Sequence, residues 1–287
     1  MKTVAELLKE SPGPDREYFV RHVLGIDLGE LYLHPGRLVP NALVNKIRLM
    51  EQRRKKGWPV QYIVGEAWFF GMRLRVTPAV LIPRPETELL VEHALEILKY
   101  ASSAATVFDV GTGSGAIALA VAHKSIGSTW VAREYAAPIR ICALDNSAAA
   151  LTVARANARA HKTKITFQKS NLLAAATWPR TPLVLIAANL PYLSDRRMKR
   201  LPAEVRREPR AALYGGSADG LALYQKFFAQ ISKHARTNQR IIILAEIDPE
   251  QKTKLARLAT REFPKSEIVF HHDLHGDIRL AEITLTR

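Results

Sequence analysis

The stretch LVLIAANLPY, residues 183–192, decides how this chain is read. Six apolar residues run without alternation into Asn189, Leu190, Pro191 and Tyr192. An unbroken apolar run of that length predicts a strand buried on both faces of a sheet. Open α/β sheets bind ligands at the carboxyl ends of their strands, and Asn189 falls at such an end. Its amide oxygen can accept from an incoming N–H group. Pro191 lacks a backbone donor and holds Leu190 extended, so the Leu190 carbonyl can point outward beside that side chain. Tyr192 adds a flat aromatic face. Two acceptors and a ring suit a planar –NH2 group.

On both sides of this stretch, strands and helices alternate. TVFDV (106–110), IRICALD (139–145), ITFQKSN (165–171) and RIIILAEI (240–247) read as strands. AIALAVAHK (116–124), NSAAALTVARANARAHK (146–162), LALYQKFFAQISKHA (221–235) and KLARLATREF (254–263) read as helices, with Asn146 or Ser147 capping the second. AREYAAP (132–138) reads as a loop that lengthens the first crossover. Such alternation predicts a parallel sheet wrapped by helices. The last strands, EIVF (267–270) and IRLAEITLT (278–286), are joined by HHDLHGD, too short for anything but an antiparallel pair. The expected fold is α/β: five parallel strands closed by an antiparallel hairpin resemble the Rossmann-like seven-stranded sheet of S-adenosylmethionine-dependent methyltransferases. A plain dinucleotide fold would be more uniformly parallel.

Between the first strand and helix lie Gly111, Thr112, Gly113, Ser114 and Gly115. Glycines there allow a tight turn and close approach of a ligand to the backbone, with helix N–H groups facing it. Asp145 ends the next strand, where a carboxylate can take two ribose hydroxyls. Asn171 ends the third, placed to meet an adenine edge, and Leu172 would pack beside the ring. GSGAIA also fits the G-x-G-x-x-A dinucleotide pattern, so a nicotinamide cofactor stays open. Gly111, the Asn-x-Pro-Tyr sequence and the terminal hairpin weigh towards S-adenosylmethionine. Asp145 could also serve only to cap its helix.

The N-terminal part has a different character. Val4, Leu7 and Leu8, then Phe19, Val23 and Leu24, recur at helical spacing, and LVNKIRLMEQRRKKG (43–57) gives a third helix with a basic last turn. No metal or catalytic spacing occurs there, and no metal is expected. Residues 1–65 are read as a helical substrate-docking domain, the alternative being a lid that merely covers the core. Residues 66–85 are read as a hairpin and Pro-rich link, FFGMRLRV followed by Pro78, Pro83 and Pro85. Residues 86–287 are read as the catalytic domain, with Glu86, Thr87 and Glu88 opening its first helix.

Lys and Arg number 42 against 27 Asp and Glu, a net charge of +15, which favours a polyanionic or ribosome-associated setting unless it is organism-wide composition. No apolar run approaches the ~18 residues of a membrane span, and the start carries no apolar signal core, so a cytoplasmic protein with no membrane contact is expected. The one cysteine, Cys142, is read as a buried inert thiol.

Assembled, these residues resemble the bacterial release factor glutamine methyltransferases. The likeness spans HVLGIDLGELYLHP (22–35), GWPVQYIVGEAWFFGMRLRVTPAVLIPRPETELLVEHAL (57–95), FDVGTGSGAIALA (108–120), NLPY (189–192) and EPRAALYGGSADGL (208–221). LIPRPETE and EPRAALYGGSADGL are more specific than the glycine turn. The resemblance implies transfer of a methyl group from S-adenosylmethionine to the side-chain amide of the Gln in the Gly-Gly-Gln tripeptide of peptide-chain release factors. It places cofactor contacts on Gly111 to Gly115, Asp145, Asn171, Leu172 and Asn189, and substrate contacts on Asn189, Leu190, Pro191 and Tyr192. A monomer acting on a protein substrate is expected. Two positions depart from the family: Leu190, where Pro is usual, and Asn171, where Asp is frequent. Asn-Leu-Pro-Tyr is also typical of ribosomal RNA adenine dimethyltransferases. The second reading is thus an RNA or DNA amino-methyltransferase, whose phosphates the basic segment 195–210 could meet. A third is a binding module that has kept the fold without catalysis.

Overall fold

The computed structural model describes residues 1–125, 137–234 and 239–285. Most of the loop expected at 132–138 lies outside the described residues. The chain divides into two compact units, Met1–Glu66 with Pro202–Arg207, and Ala67–Leu201 with Glu208–Arg287.

In the first unit, β1 (Lys2–Thr3) leads into α1 (Val4–Glu10), followed by α2 (Pro14–Leu24) and α3 (Leu28–Leu33). Next come β2 (Leu38–Val39), paired antiparallel with β1, then α4 (Asn41–Lys55) and α5 (Val60–Val64). The helix ends are written in the sequence. Thr3 and Glu6 form a capping box on α1, and Asp27 and Glu30 form one on α3. Pro14 opens α2, and Gly25 closes it at φ +65°. Leu7, Phe19, Val20, Leu31 and Ile47 make the core. Buried Arg16 is held between Glu10 at 2.9 Å and Glu51 at 2.8 Å. Residues 202–207 join this unit through Glu204, which Arg54 contacts at 2.5 Å, and through Arg207, which lies over one side of the Trp58 ring system at 5.1 Å while Arg53 also lies 5.1 Å from it.

From Ala67 the second unit opens within a hairpin, β3 (Glu66–Phe69) and β4 (Met72–Arg75), turned by Phe70 and Gly71 at φ +50° and +74°. Positive φ at both central residues matches the twist of the flanking strands. After α6 (Glu88–Lys99) come β5 (Ala105–Val110), α7 (Ala116–Ser125), β6 (Ile139–Asp145), α8 (Ala148–Ala160), β7 (Thr166–Lys169) and β8 (Leu183–Ala188). The chain continues through α9 (Asp195–Met198), α10 (Ala222–His234), β9 (Arg240–Glu246), α11 (Lys252–Glu262), β10 (Ser266–His272) and β11 (Ile278–Leu285). The seven-stranded sheet has the order β10-β11-β9-β8-β5-β6-β7. Strands β5 to β9 are mutually parallel, and β11 runs antiparallel between β9 and β10. The hairpin expected at the end is present, and it is its return strand that pairs with β9.

Every residue of β5 and β8 is buried, as the unalternating runs require. One face, with Val107, Ala143, Leu185 and Leu244, packs on α6 and α7. The other, with Phe108, Leu144, Ile186 and Ile243, packs on Tyr224, Phe227 and Phe228 of α10 and Leu255 of α11. Strand order reverses between β5 and β8, so the loops after β5, β6, β7 and β8 gather around one crevice.

At the sheet edge, His93 of α6 lies against His271 of β10 with ring centroids 3.9 Å apart and planes tilted by 43°, and Glu282 of β11 bonds His271 at 3.0 Å. These three ligand-type side chains lie within 4.8 Å of one another. The ring contact and the carboxylate bond hold the trio together. Burial, then the neighbouring His271, push the His93 pKa below the usual histidine range, against the pull of Glu282. A histidine whose folded pKa is lowered contributes stability above its unfolded value of about 6.5 and loses it as pH falls through the folded value. His93→Gln is expected to flatten the fall in denaturation midpoint between pH 7.5 and pH 5, read by guanidinium titration. An unchanged acid slope would contradict this.

Candidate active site

The glycine turn after β5 is tied to the neighbouring strand. Gly111 and Thr112 donate their N–H groups to the Leu144 carbonyl at 2.8 and 2.9 Å. Gly111, Gly113 and Gly115 take φ of +77°, +56° and +85°. At Gly115 the need is also steric: a Cβ would meet Leu119 at 3.0 Å and Ala154 of α8 at 3.2 Å. Asp145, at the end of β6, accepts from the Gly113 N–H at 2.9 Å and the Ser147 N–H at 2.8 Å. It therefore braces both the glycine turn and the entry to α8, whose cap is Ser147. Burial raises its pKa, and these N–H bonds oppose the rise.

Two buried residues that the sequence reading passed over hold this turn. Asp109, fully buried near the end of β5, accepts from the Thr112 hydroxyl at 2.5 Å and the Ala118 N–H at 3.0 Å. Its other oxygen has no protein partner among the described residues, and burial pushes its pKa up to about 6. The signal was a lone carboxylate inside the apolar strand TVFDV. Asn157 of α8 donates to the Ser114 and Arg75 carbonyls and accepts from the Arg75 N–H at 2.8 Å, stapling β4 to the turn.

Gly111, Gly113, Asp145, Asn171, Leu172 and Asn189 line one cleft with Leu190 and Pro191, and Ala79 to Leu81 close part of its wall. The cleft encloses roughly 850 Å³ including its open mouth. Thr112 and Ser114 are buried, with their backbone in the turn. Leu172 takes φ +56°, an uncommon left-handed conformation for leucine that turns the chain after β7. Leu190 is buried at 2% exposure and packs near Gly111, where a Cβ would meet it at 3.4 Å. Cys142 is half-buried, and burial pushes its thiol up, away from the reactive thiolate.

The Asn189 amide has a fixed surrounding. Its Nδ2 donates to the Thr87 hydroxyl oxygen at 2.9 Å, and that hydroxyl donates to Glu246 at 2.7 Å. Tyr192 donates to the other Glu246 oxygen at 3.4 Å. Glu246 ends β9, is 2% exposed, and burial pushes its pKa up to about 7 while Thr87 opposes the rise. Burial and the carboxylate hold the Tyr192 phenol well above its usual range. The sequence reading gave Thr87 to opening a helix. It stands there, as the last residue of a short 3-10 turn over Pro85–Thr87, but its side chain makes no cap bond.

The two specific stretches meet at Glu208. This buried carboxylate accepts from the Ile82 N–H at 3.0 Å and from the Arg84 guanidinium. Farther along the second stretch, Gly215 and Gly220 approach back to back, and a Cβ on Gly220 would land on the Tyr192 carbonyl oxygen. Gln251 donates to that same carbonyl at 2.9 Å and to the Asp219 carbonyl at 2.7 Å.

The arrangement defines a methyltransferase. Residues 101–273 match a methyltransferase domain family, and residues 2–65 match the PrmC N-terminal domain. A methyltransferase from Pyrococcus furiosus shares the fold at a TM-score of 0.50 and 14% identity, over 82% of this chain and 96% of that one. The release factor glutamine methyltransferase of Chlorobaculum tepidum is 38% identical over 77% of this chain and 74% of its own length. That of Dictyoglomus turgidum is 32% identical over 98% and 94%. The chain belongs to the release factor glutamine methyltransferase family. Its methyl donor is S-adenosylmethionine. Among the described residues no helix is long and apolar enough to cross a membrane.

Gly220 takes φ +77°, so Gly220→Ala combines left-handed strain of about 1–2 kcal/mol with a steric clash against the backbone of Tyr192. We expect at least about 2 kcal/mol lost in chemical denaturation and a fall in methyl transfer exceeding tenfold. Wild-type stability with wild-type rate would show that the loop does not bear on Tyr192.

Proposed function

We propose that this enzyme methylates the side-chain amide nitrogen of the Gln in the Gly-Gly-Gln tripeptide of peptide-chain release factors, with Asn189 and Leu190 as the grip on that amide. The observation that carries the reading is the Asn189 amide: its nitrogen is turned to Thr87, to which it donates, and this leaves its oxygen for the substrate. Among the described residues nothing donates to that oxygen or to the Leu190 carbonyl.

The cleft suits S-adenosylmethionine. Asp145 keeps lone pairs for ribose hydroxyls after taking two N–H bonds. Asn171 and Leu172 offer an amide and an apolar face for adenine, and the glycine turn leaves backbone exposed where a side chain would intrude. S-adenosylmethionine, when bound, supplies an electrophilic methyl on a sulfonium.

The chain's own residues answer for the other partner. An amide nitrogen is a poor nucleophile because its lone pair is delocalised into the carbonyl. Accepting both of its N–H bonds, at the Asn189 oxygen and the Leu190 carbonyl, fixes its direction and favours the pyramidal shape that bond formation needs. Tyr192 stacks on the planar group and fixes its rotation. The gain is orientation plus preorganised dipoles, with no strong base required. Leu190 keeps the carbonyl that Pro would present.

The rest of the proposal follows from that substrate. Residues 1–65 dock the release factor, 66–85 link, and 86–287 carry the chemistry. The enzyme works as a monomer in the cytoplasm, where release factors act, and needs no nucleic acid. Labelled methyl is expected to enter a recombinant release factor and not its Gln→Ala tripeptide variant. Equal labelling of both, or label only in RNA, would overturn the reading. Asn189→Ala is expected to cost more than hundredfold in turnover, about 2.7 kcal/mol, with donor affinity within threefold. Turnover within tenfold of wild type would contradict the grip.

A further inference from the structure

LIPRPETE is among the most specific stretches of the chain, and the proposed grip leaves it without a role. The structure gives it one. Thr87 stands at the start of α6, a place where a hydroxyl ordinarily caps the helix, and it makes no such bond. It bridges instead from Asn189 to Glu246, at 2.9 and 2.7 Å. Both Thr87 and Glu246 are nearly inaccessible, at 4% and 2% exposure. Burying a carboxylate is costly, and this one is met by two hydroxyls, Thr87 and Tyr192.

We propose that Thr87 and Glu246 are positioning residues for methyl transfer, holding the Asn189 amide with its nitrogen turned inward so that only its oxygen faces the cleft. This rests on the reading of Asn189 as the grip. The direction follows from donor counting. An ionised carboxylate only accepts, so Thr87 must spend its one hydrogen on Glu246. The Thr87 oxygen then has only lone pairs to offer, and the Asn189 –NH2 is the group that can meet them. Were Glu246 protonated on the facing oxygen, it would donate to Thr87. Thr87 would then direct its hydrogen at Asn189, and the amide oxygen would turn inward. The grip would present two donors to a substrate that also donates.

The charges around Glu246 set where this reversal falls. Glu86 lies on its own turn beside Thr87, Arg279 opens β11, and Tyr192 follows β8. Tyr224 of α10 donates to the Glu246 backbone carbonyl, holding the end of β9 in place. Burial dominates and lifts the carboxyl to about 7, against Thr87, Arg279 and Tyr192. The active form is the ionised one, so kcat/KM rises with pH through that value and is lost below it.

The test compares wild type, Thr87→Val and Thr87→Ser on a release factor and on its Gln→Ala variant, from pH 5.5 to 8.5. Donor affinity is measured by calorimetry and folding by thermal melts. Thr87→Val is expected to lower turnover at pH 8 by thirtyfold or more, with donor Kd within threefold, and to lose the acid limb near pH 7. Thr87→Ser restores the hydroxyl and is expected within threefold of wild type, limb included. A folded Thr87→Val with wild-type turnover, or with the limb intact, overturns the inference. So does a wild-type profile that is flat from pH 6 to 8, a result that needs no variant. Wild-type transfer to neither factor would overturn the substrate reading and the inference with it; transfer to the Gln factor alone keeps the reading, and the Thr87 variants then decide the inference separately.

Discussion

A carboxylate taken out of water dictates the direction of the side-chain hydrogen bonds that run from Glu246 through Thr87 to Asn189. Glu246 has no hydrogen to give when ionised, so the hydroxyls of Thr87 and Tyr192 point at it. That choice passes along Thr87 to the Asn189 amide. Thr87 and Glu246 are 159 residues apart in sequence, one at the start of α6 and the other at the end of β9. The parallel sheet brings Asn189 to Glu246 because strands β8 and β9 are neighbours and both end on the same side, and Thr87 reaches the pair from the start of α6.

Backbone packing supports the same place from below. The stretch 208–221 joins the stretch 81–88 through Glu208 and presses two glycines beneath Tyr192. A side chain at Gly220 has nowhere to go, and Gln251 holds the carbonyl that would be displaced. These contacts touch no group that the proposal assigns to the reaction. They fix the height and angle of the Tyr192 backbone, and the side-chain network fixes the amide.

Much of this was legible in the sequence, for identifiable reasons. Unalternating runs at 106–110, 183–188 and 240–247 gave buried parallel strands, because burial on both faces leaves no polar period. The antiparallel closure followed from seven intervening residues. Short elements escaped: α5, too short to show periodicity, and the β1–β2 pair, two residues each. Helix α3 is readable in Asp27 and Glu30, whose three-residue spacing forms a capping box. At the site, Asn189, Asp145 and the glycines stood out because each ends a strand. Asp109, Asn157 and Glu246 did not, since their importance lies in partners 3 to 159 residues away. Thr87 was noticed and given the commoner role of its position.

The side-chain oxygen of Asn189 and the carbonyl oxygen of Leu190 are the two atoms proposed to meet a glutamine amide. A crystal structure of the enzyme with the demethylated donor and a Gly-Gly-Gln peptide tests it most directly. The account predicts the Gln amide nitrogen at about 3 Å from both the Asn189 side-chain oxygen and the Leu190 carbonyl oxygen, with Thr87 still holding the Asn189 nitrogen. A Gln amide lodged away from these two oxygens, or an Asn189 amide turned to face it with nitrogen, would contradict the account.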